Sequence, residues 1–268
     1  MVLEKTLTYI FSSDPANGAE TLTAKGDEFS TTLYDPISVP HHAKYCTLEV
    51  IAANVWWTIP NVSAALNNNI FEYNDGALRT LVIPDGLYDL PSLEQALKIQ
   101  MDNIPGAVPS NLTFNFVGDS STQKVVITFL SAGLSIDWTT TTVRDLLGYT
   151  VGSTSAVGIG ESIIGDNVAA FNATTSLFIK TNIVHTGIPV NATSTQVISN
   201  VFIDVPPGSL INYQPQNVPR ANANELIGSR LSNVRFNLTD QRNLPVDTNN
   251  EYWSFTMVIR YYIMEEHL

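Results

Sequence analysis

Apolar and polar residues alternate along most of this chain, in runs of five to sixteen separated by short polar breaks. The runs EFSTTLY (28–34), KYCTLEVIAANVWWTI (44–59), RTLVI (79–83), LTFNFV (112–117), QKVVITFL (123–130), TSLFIKTNIV (175–184), QVISNVFIDV (196–205), LSNVRFNL (231–238) and YWSFTMVIRYYI (252–263) predict β-strands. Each is rich in β-branched and aromatic residues and repeats with the period of two that buries one face of a sheet. The breaks NDG at Asn74–Gly76, PDG at Pro84–Gly86, GDSS at Gly118–Ser121 and PPG at Pro206–Gly208 carry turn chemistry.

Helical spacing is rare. LPSLEQALKIQMDNI (90–104) predicts one helix, with Pro91 in the first turn, Ser92 as a cap and Leu90, Leu93, Leu97 and Met101 recurring at helical intervals. Thr141–Tyr149 and Ala221–Ser229 predict one or two turns each, closed by Gly148 and Gly228. The Gly- and Ser-rich run TVGSTSAVGIGESIIGD (150–166) predicts a long mobile loop and a place where a domain boundary could fall. The expected fold class is therefore all-β.

Length and composition narrow the classes of function. A chain of 268 residues, 44% hydrophobic and 14% charged, can bury a full core without staples. No apolar stretch approaches the roughly 18 residues of a membrane span. The start MVLEKTLTYIFSSDP lacks the basic start, apolar run and cleavage site of a secretory signal, so no export signal is expected. A net charge of −12 with thinly spread Lys and Arg argues against direct binding to nucleic acid. Cys46 is the single cysteine and lies in an apolar run, which predicts a buried, unreactive thiol.

Candidate chemistry is sparse. His41 and His42 sit in a turn, His185 follows a strand, and His267 is near the last residue, so none has the i, i+2 or i, i+4 partner of a metal site. GIGES has its serine misplaced for a nucleophile elbow, and GIGESIIG lacks the βαβ context and Lys of a phosphate loop. The N-x-S/T triplets at Asn61, Asn111, Asn172, Asn191 and Asn237 are no more than a chain so rich in these residues supplies. The best carboxylate cluster is Asp240, Asp247 and Glu251, with Asn249 and Asn250 beside them, a set that suits calcium. Against it, Val234, Phe236 and Leu238 alternate before the gap and Trp253 to Ile263 alternate after it, which favours a solvated connection between two antiparallel strands over a calcium or inter-subunit site. Trp56 and Trp57 are adjacent, so they point to opposite faces of a strand, and one of them is a candidate interface anchor.

Taken in order, LVIPDGLYDLPSLEQAL, TQKVVITF, RDLLGYT and VRFNLTDQRNLPVDTNNEYWSFTMVIRYY resemble jelly-roll capsid proteins of icosahedral double-stranded DNA viruses, and above all the penton or vertex proteins of polinton-like viruses and virophages. That family has an LPxGxY turn before a short helix, an LLGF-like turn after a strand, and LTDQxxxxVDxNxE before the last strand. These correspond here to Pro84–Tyr88, Leu146–Tyr149 and Leu238–Glu251, and the resemblance spans roughly residues 28 to 263. Tyr149 stands in place of the usual Phe, and Asn250 in place of an expected Gly.

The resemblance implies a virion structural protein without catalysis: a capsid building block that associates with itself, as a pentamer in preference to a trimer, with neighbouring capsid proteins, and with spike, fibre or internal membrane proteins as further candidates. Strands near 28–38, 44–59, 69–84, 111–129, 174–185, 196–205, 231–239 and 252–264 make up one jelly-roll β-sandwich, with an insertion at about 86–165 and an N-terminal arm at 1–27. A compact double jelly roll, as in the small trimeric major capsid proteins of corticoviruses, is the alternative; a carbohydrate-binding β-sandwich is the reading from another class.

Overall fold

The computed structural model describes residues 2–152, 157–172, 174–190 and 196–264. The chain runs Val2–Ser12 (β1), Ala19–Thr21 (β2), Glu28–Ser38 (β3), Tyr45–Trp56 (β4), Ile70–Asn74 (β5), Leu78–Val82 (β6), helix Leu90–Asp102 (α1), Phe114–Asp119 (β7), Lys124–Phe129 (β8), Ser135–Ile136 (β9), helix Arg144–Leu147 (α2) and Ser162–Ile164 (β10). It continues through Ser176–Thr181 (β11), Val197–Phe202 (β12), Leu210–Tyr213 (β13), Arg220–Asn222 (β14), Arg230–Asp240 (β15) and Ser254–Met264 (β16). Two compact units result: residues 1–59 with 174–268, and residues 60–173.

The first unit is a jelly roll. One sheet has the order β1-β16-β4-β13, with β14 also on β4, and the other β12-β11-β15-β3-β2. Without β2, and with β13 and β14 taken as one interrupted strand, the eight barrel strands number 1-8-3-6 and 2-7-4-5 in chain order, the arrangement of two interlocked Greek keys. All pairings in it are antiparallel apart from an isolated parallel bridge between Val39 and Ile227.

Its core explains the alternation of the last two strands. Phe11 of β1 and Phe255 of β16 come from one sheet, Phe29 of β3 and Phe236 of β15 from the other, and all are buried. Phe236 lies with its ring centroid 4.5 Å from Phe11 and 4.9 Å from Phe255, so it joins the two layers. Trp253 packs edge-on to Phe29 at 5.1 Å, and its indole Nε1 donates to Gly26 O at 3.1 Å.

Eight strands form the barrel, as expected, but they are not the expected eight. Residues 1–27 do not stand apart as an arm: β1 pairs with β16 along its whole length, from Val2 with Met264 to Ser12 with Ser254, and β2 pairs with β3. The alternation in VLEKTLTYIFS, which buries Phe11 and half-buries Leu7 and Tyr9, makes it a sheet edge. The segments near 69–84 and 111–129 belong instead to the second unit.

That second unit is the whole connection between β4 and β11, longer at both ends than the expected 86–165. It holds two three-stranded sheets, β6-β5-β9 and β10-β8-β7, among the described residues, so it is not the second barrel of a double jelly roll. Helix α1 buries Leu93, Leu97 and Met101 against a core that contains Phe71, Tyr73, Phe114, Phe116 and Phe129. The helix starts at the expected residue, Leu90, but its cap is not the expected Ser92. Asp89 is the N-cap, accepting from Ser92 N at 2.9 Å while Ser92 Oγ accepts from Asp89 N at 3.0 Å, so Ser92 completes a capping box rather than opening the helix.

The motifs behind the resemblance have structural roles here. In PDGLY, Tyr88 Oη donates to Pro84 O at 2.9 Å and its ring lies over Gly86, where a Cβ would meet Tyr88 Cε2 at 2.9 Å. In LLGY, Gly148 ends α2 at φ +82, with no room for a Cβ against Asn167 O, 2.3 Å from where it would lie. The Tyr149 ring stacks on Trp138 at 4.1 Å, and its hydroxyl donates to Val125 O at 3.0 Å, a bond that Phe lacks. Burial pushes that phenol well above its ordinary range.

The Gly/Ser run 150–166 is not a boundary. Residues 153–156 lie outside the described residues, but Ser162–Ile164 pairs with β8, and Asp166 Oδ2 accepts from Thr150 N and Oγ1 at 3.0 and 2.8 Å. At 221–229 the expected helix is a single 3-10 turn, Asn224–Leu226, with Gly228 at φ +76.

Asn61 is a structural clamp rather than a glycan acceptor. Its Nδ2 donates to Tyr88 O at 2.7 Å and Phe171 O at 2.9 Å, and its Oδ1 accepts from Tyr88 N at 2.8 Å, so the two ends of the second unit are tied together. Asn61→Ala leaves three half-buried backbone groups without partners and is expected to destabilise this unit by about 2 kcal/mol, read as a lowered urea midpoint and faster amide exchange at Tyr88.

Candidate functional site

The acidic gap that interrupts the last two strands folds as two tight turns. Asp240 is buried at the end of β15, and Oδ1 accepts from the backbone N of Arg242 and of Leu244, each at 2.9 Å. Oδ2 accepts from Arg242 Nε at 2.8 Å. Asp247 Oδ1 accepts from Asn249 N at 2.9 Å, and Glu251 is exposed. Asn243, Asn249 and Asn250 all take positive φ, so Asn250 occupies the left-handed conformation for which Gly was expected. Among the described residues, no group of three His, Cys, Asp or Glu is placed to hold a metal ion, so Asp240, Asp247 and Glu251 are not brought together.

The other titratable residues are equally spread. His185 is exposed, its N bonded to Glu225 Oε2 at 2.8 Å, and the His41 and His42 rings meet edge-on at 5.4 Å. His267 and Asn191 lie outside the described residues. Cys46 is buried with its thiol pushed up to about 11 by desolvation. One sheet of the barrel carries an ion-pair row across its strands: Glu4 and Arg260 at 2.7 Å, Arg260 and Glu49 at 3.1 Å, and Glu49 and Arg220 at 2.9 Å. Arg260, then Tyr262, hold the Glu4 carboxyl below its usual range by hydrogen bonding. Both carboxylates are paired with arginine, Glu4 with Arg260 and Glu49 with Arg260 and Arg220.

A cleft of about 310 Å³ does form beside the acidic gap, in the first unit. Pro15, Thr21, Thr23, Asn250, Glu251 and Tyr252 line it, from the connection between the first two barrel strands and from that between the last two. Sequence reading missed it because its two walls are more than 220 residues apart; the Asn-Glu-Tyr run next to a strand start was the available signal.

The two tryptophans separate as adjacent strand residues should. Trp57 is buried, and its N donates to Ser209 O at 2.9 Å. Trp56 is 39% exposed and sits opposite Leu210, 40% exposed, on β13. Phe202, 64% exposed, ends β12 at the edge of the other sheet. At the opposite barrel edges Ile10 on β1 and Tyr34 on β3 are also exposed. The features that stand out are thus two apolar barrel edges and one polar cleft.

Together the strand order and the sheet pairing define an all-β jelly-roll protein with a folded insert between its third and fourth barrel strands. A solved structure shares this fold. The chain is similar to the mavirus penton protein, with a TM-score of 0.53 and 11% identity over 97% of this chain and 100% of that one. It also aligns with a chain of the Sputnik virophage, with a TM-score of 0.42 and 12% identity over 96% of this chain and 97% of that one. No protein-family model matches the chain, and no curated protein does.

Proposed function

We propose that this chain is a virion structural protein, a penton-type capsomer that joins copies of itself into a closed ring in an icosahedral capsid, without catalysis. The observation that carries this reading is the shared jelly-roll fold over 97% of this chain and 100% of the mavirus penton protein. The exposed side chains support it. A ring closed by rotation needs two different surfaces on each subunit, one to give and one to receive. Leu210 and Phe202 lie on the edge strands β13 and β12, with Trp56 beside Leu210 on the adjoining β4, and Ile10 and Tyr34 lie on β1 and β3 at the opposite side. Large apolar residues at such places are what a subunit contact uses, with Trp56 as the anchor. Localisation to the capsid follows from this reading, and neighbouring capsid proteins are its further partners.

Native mass spectrometry of the full chain tests the proposal. A pentamer is expected for the wild type, and monomers for Trp56→Ser and for Ile10→Ser alone. Each variant keeps one sound edge pair, so an equal mixture of the two is expected to give dimers and no rings. A wild-type chain that stays monomeric at high concentration, or variants that assemble like the wild type, would overturn the edge-to-edge ring.

A further inference from the structure

The geometry points to a binding site for a neutral saccharide in the cleft between residues 13–26 and 248–252. This is a function separate from assembly, since the cleft lies in the two connections and not on the exposed apolar barrel edges. Its volume, about 310 Å³, is at the lower end of small-molecule sites, which run from about 300 to 1,000 Å³.

The walls are fixed before any ligand arrives. Thr248 donates to Lys25 O from both its N, at 2.9 Å, and its Oγ1, at 3.0 Å. Ser13 N donates to Trp253 O at 2.9 Å, Trp253 N donates back to Ser13 Oγ at 2.9 Å, and the Trp253 indole is tied to Gly26 O. A rigid cleft lowers the ordering cost of binding.

The groups left over are those that recognise a sugar. The side chains of Thr21, Asn250, Glu251 and Tyr252 make no hydrogen bond or ion pair with the rest of the described chain, yet all four line the same cleft. Tyr252 is 53% exposed and offers a ring face, with Pro15 as a second apolar surface, for the C–H side of a pyranose. Glu251 can accept from two neighbouring hydroxyls, and Asn250 can both donate and accept, as a polyhydroxyl ligand needs. Charge decides the class of ligand. No Lys or Arg lines the cleft among the described residues, and the chain carries −12 overall, so phosphorylated, sulfated or sialylated ligands are repelled.

Saturation-transfer NMR on the full chain, with methyl α-mannoside, methyl β-galactoside and methyl N-acetyl-β-glucosaminide as probes, tests the inference. Transfer to at least one of them is expected, unchanged by a calcium chelator. Tyr252→Ala and Glu251→Gln alter exposed side chains, so each is expected to fold with the wild-type melting temperature and to bind that probe about tenfold more weakly, equivalent to about 1.4 kcal/mol. Absence of transfer to all of the probes, equal binding by the Tyr252→Ala variant, or stronger binding of 3′-sialyllactose than of any neutral probe would overturn it. Because the readout does not depend on oligomeric state, a failure here leaves the ring proposal standing, and the reverse also holds.

Discussion

Replacing Phe236 by alanine is expected to destabilise the barrel by about 3–5 kcal/mol, the range for removing a large ring from a packed core. Phe236 is fully buried on β15 and has rings on both sides: Phe11 at 4.5 Å and Phe255 at 4.9 Å in the facing sheet, and Phe29 at 5.6 Å in its own. The cavity cannot close cheaply, because each surrounding ring is held by a strand paired on at least one side. A urea titration followed by tryptophan fluorescence should show a lower midpoint with an unchanged slope. Trp253 is a suitable reporter since it packs edge-on to Phe29. A shift of under about 1 kcal/mol would mean that the two sheets do not meet at this ring.

Asp240→Asn is expected to cost about 2–3 kcal/mol, through the turn and not through a lost ion. The carboxylate accepts two backbone N–H groups on one oxygen and the Arg242 guanidinium on the other. An amide keeps one acceptor but turns a donor towards either Arg242 or the turn amides, so one buried group loses its partner. Melting temperature should fall for Asp240→Asn, and wild type and variant alike should melt at the same temperature in excess calcium and in chelator. A calcium-dependent rise in the wild type that the variant lacks would instead establish an ion at this turn. Asp247→Asn, whose carboxylate caps one backbone N–H in a more exposed turn, should change stability by no more than about 1 kcal/mol.

The parts of the fold that the sequence made legible are those where one face is buried. In β15 and β16 the alternating Val234, Phe236, Leu238, Phe255, Met257 and Ile259 are all buried, and the sheet follows directly. Alternation says that a strand has an inner face but not which sheet it joins. For that reason the β5–β6 and β7–β8 hairpins, equally well patterned, read as barrel strands although they pair within the insert. The remaining barrel strands, β1, β13 and β14, have weaker patterns for physical reasons. β1 is an edge strand with Glu4 and Lys5 on it, and edges tolerate charge because one side meets water. β13 and β14 are only four and three residues long, separated by a Pro-containing break.

The candidate sites divide in the same way. The opposite facing of Trp56 and Trp57 follows from strand geometry alone, and so was legible. The cleft was not, because it exists only once β1, β3, β15 and β16 bring distant connections together.

The clamp at Asn61 has a kinetic meaning. Barrel strands β4 and β11 are separated by well over a hundred residues, and a flexible loop of that length would make closing the Greek key slow and entropically costly. Here the intervening chain has its own core, and its ends are stitched at Asn61, Tyr88 and Phe171. Once that unit has formed, the search that unites β4 with the second half of the barrel runs over a tether of a few residues on either side. The insert thus acts as a splint for the barrel's folding, and the barrel's rate of formation should track how early the splint sets.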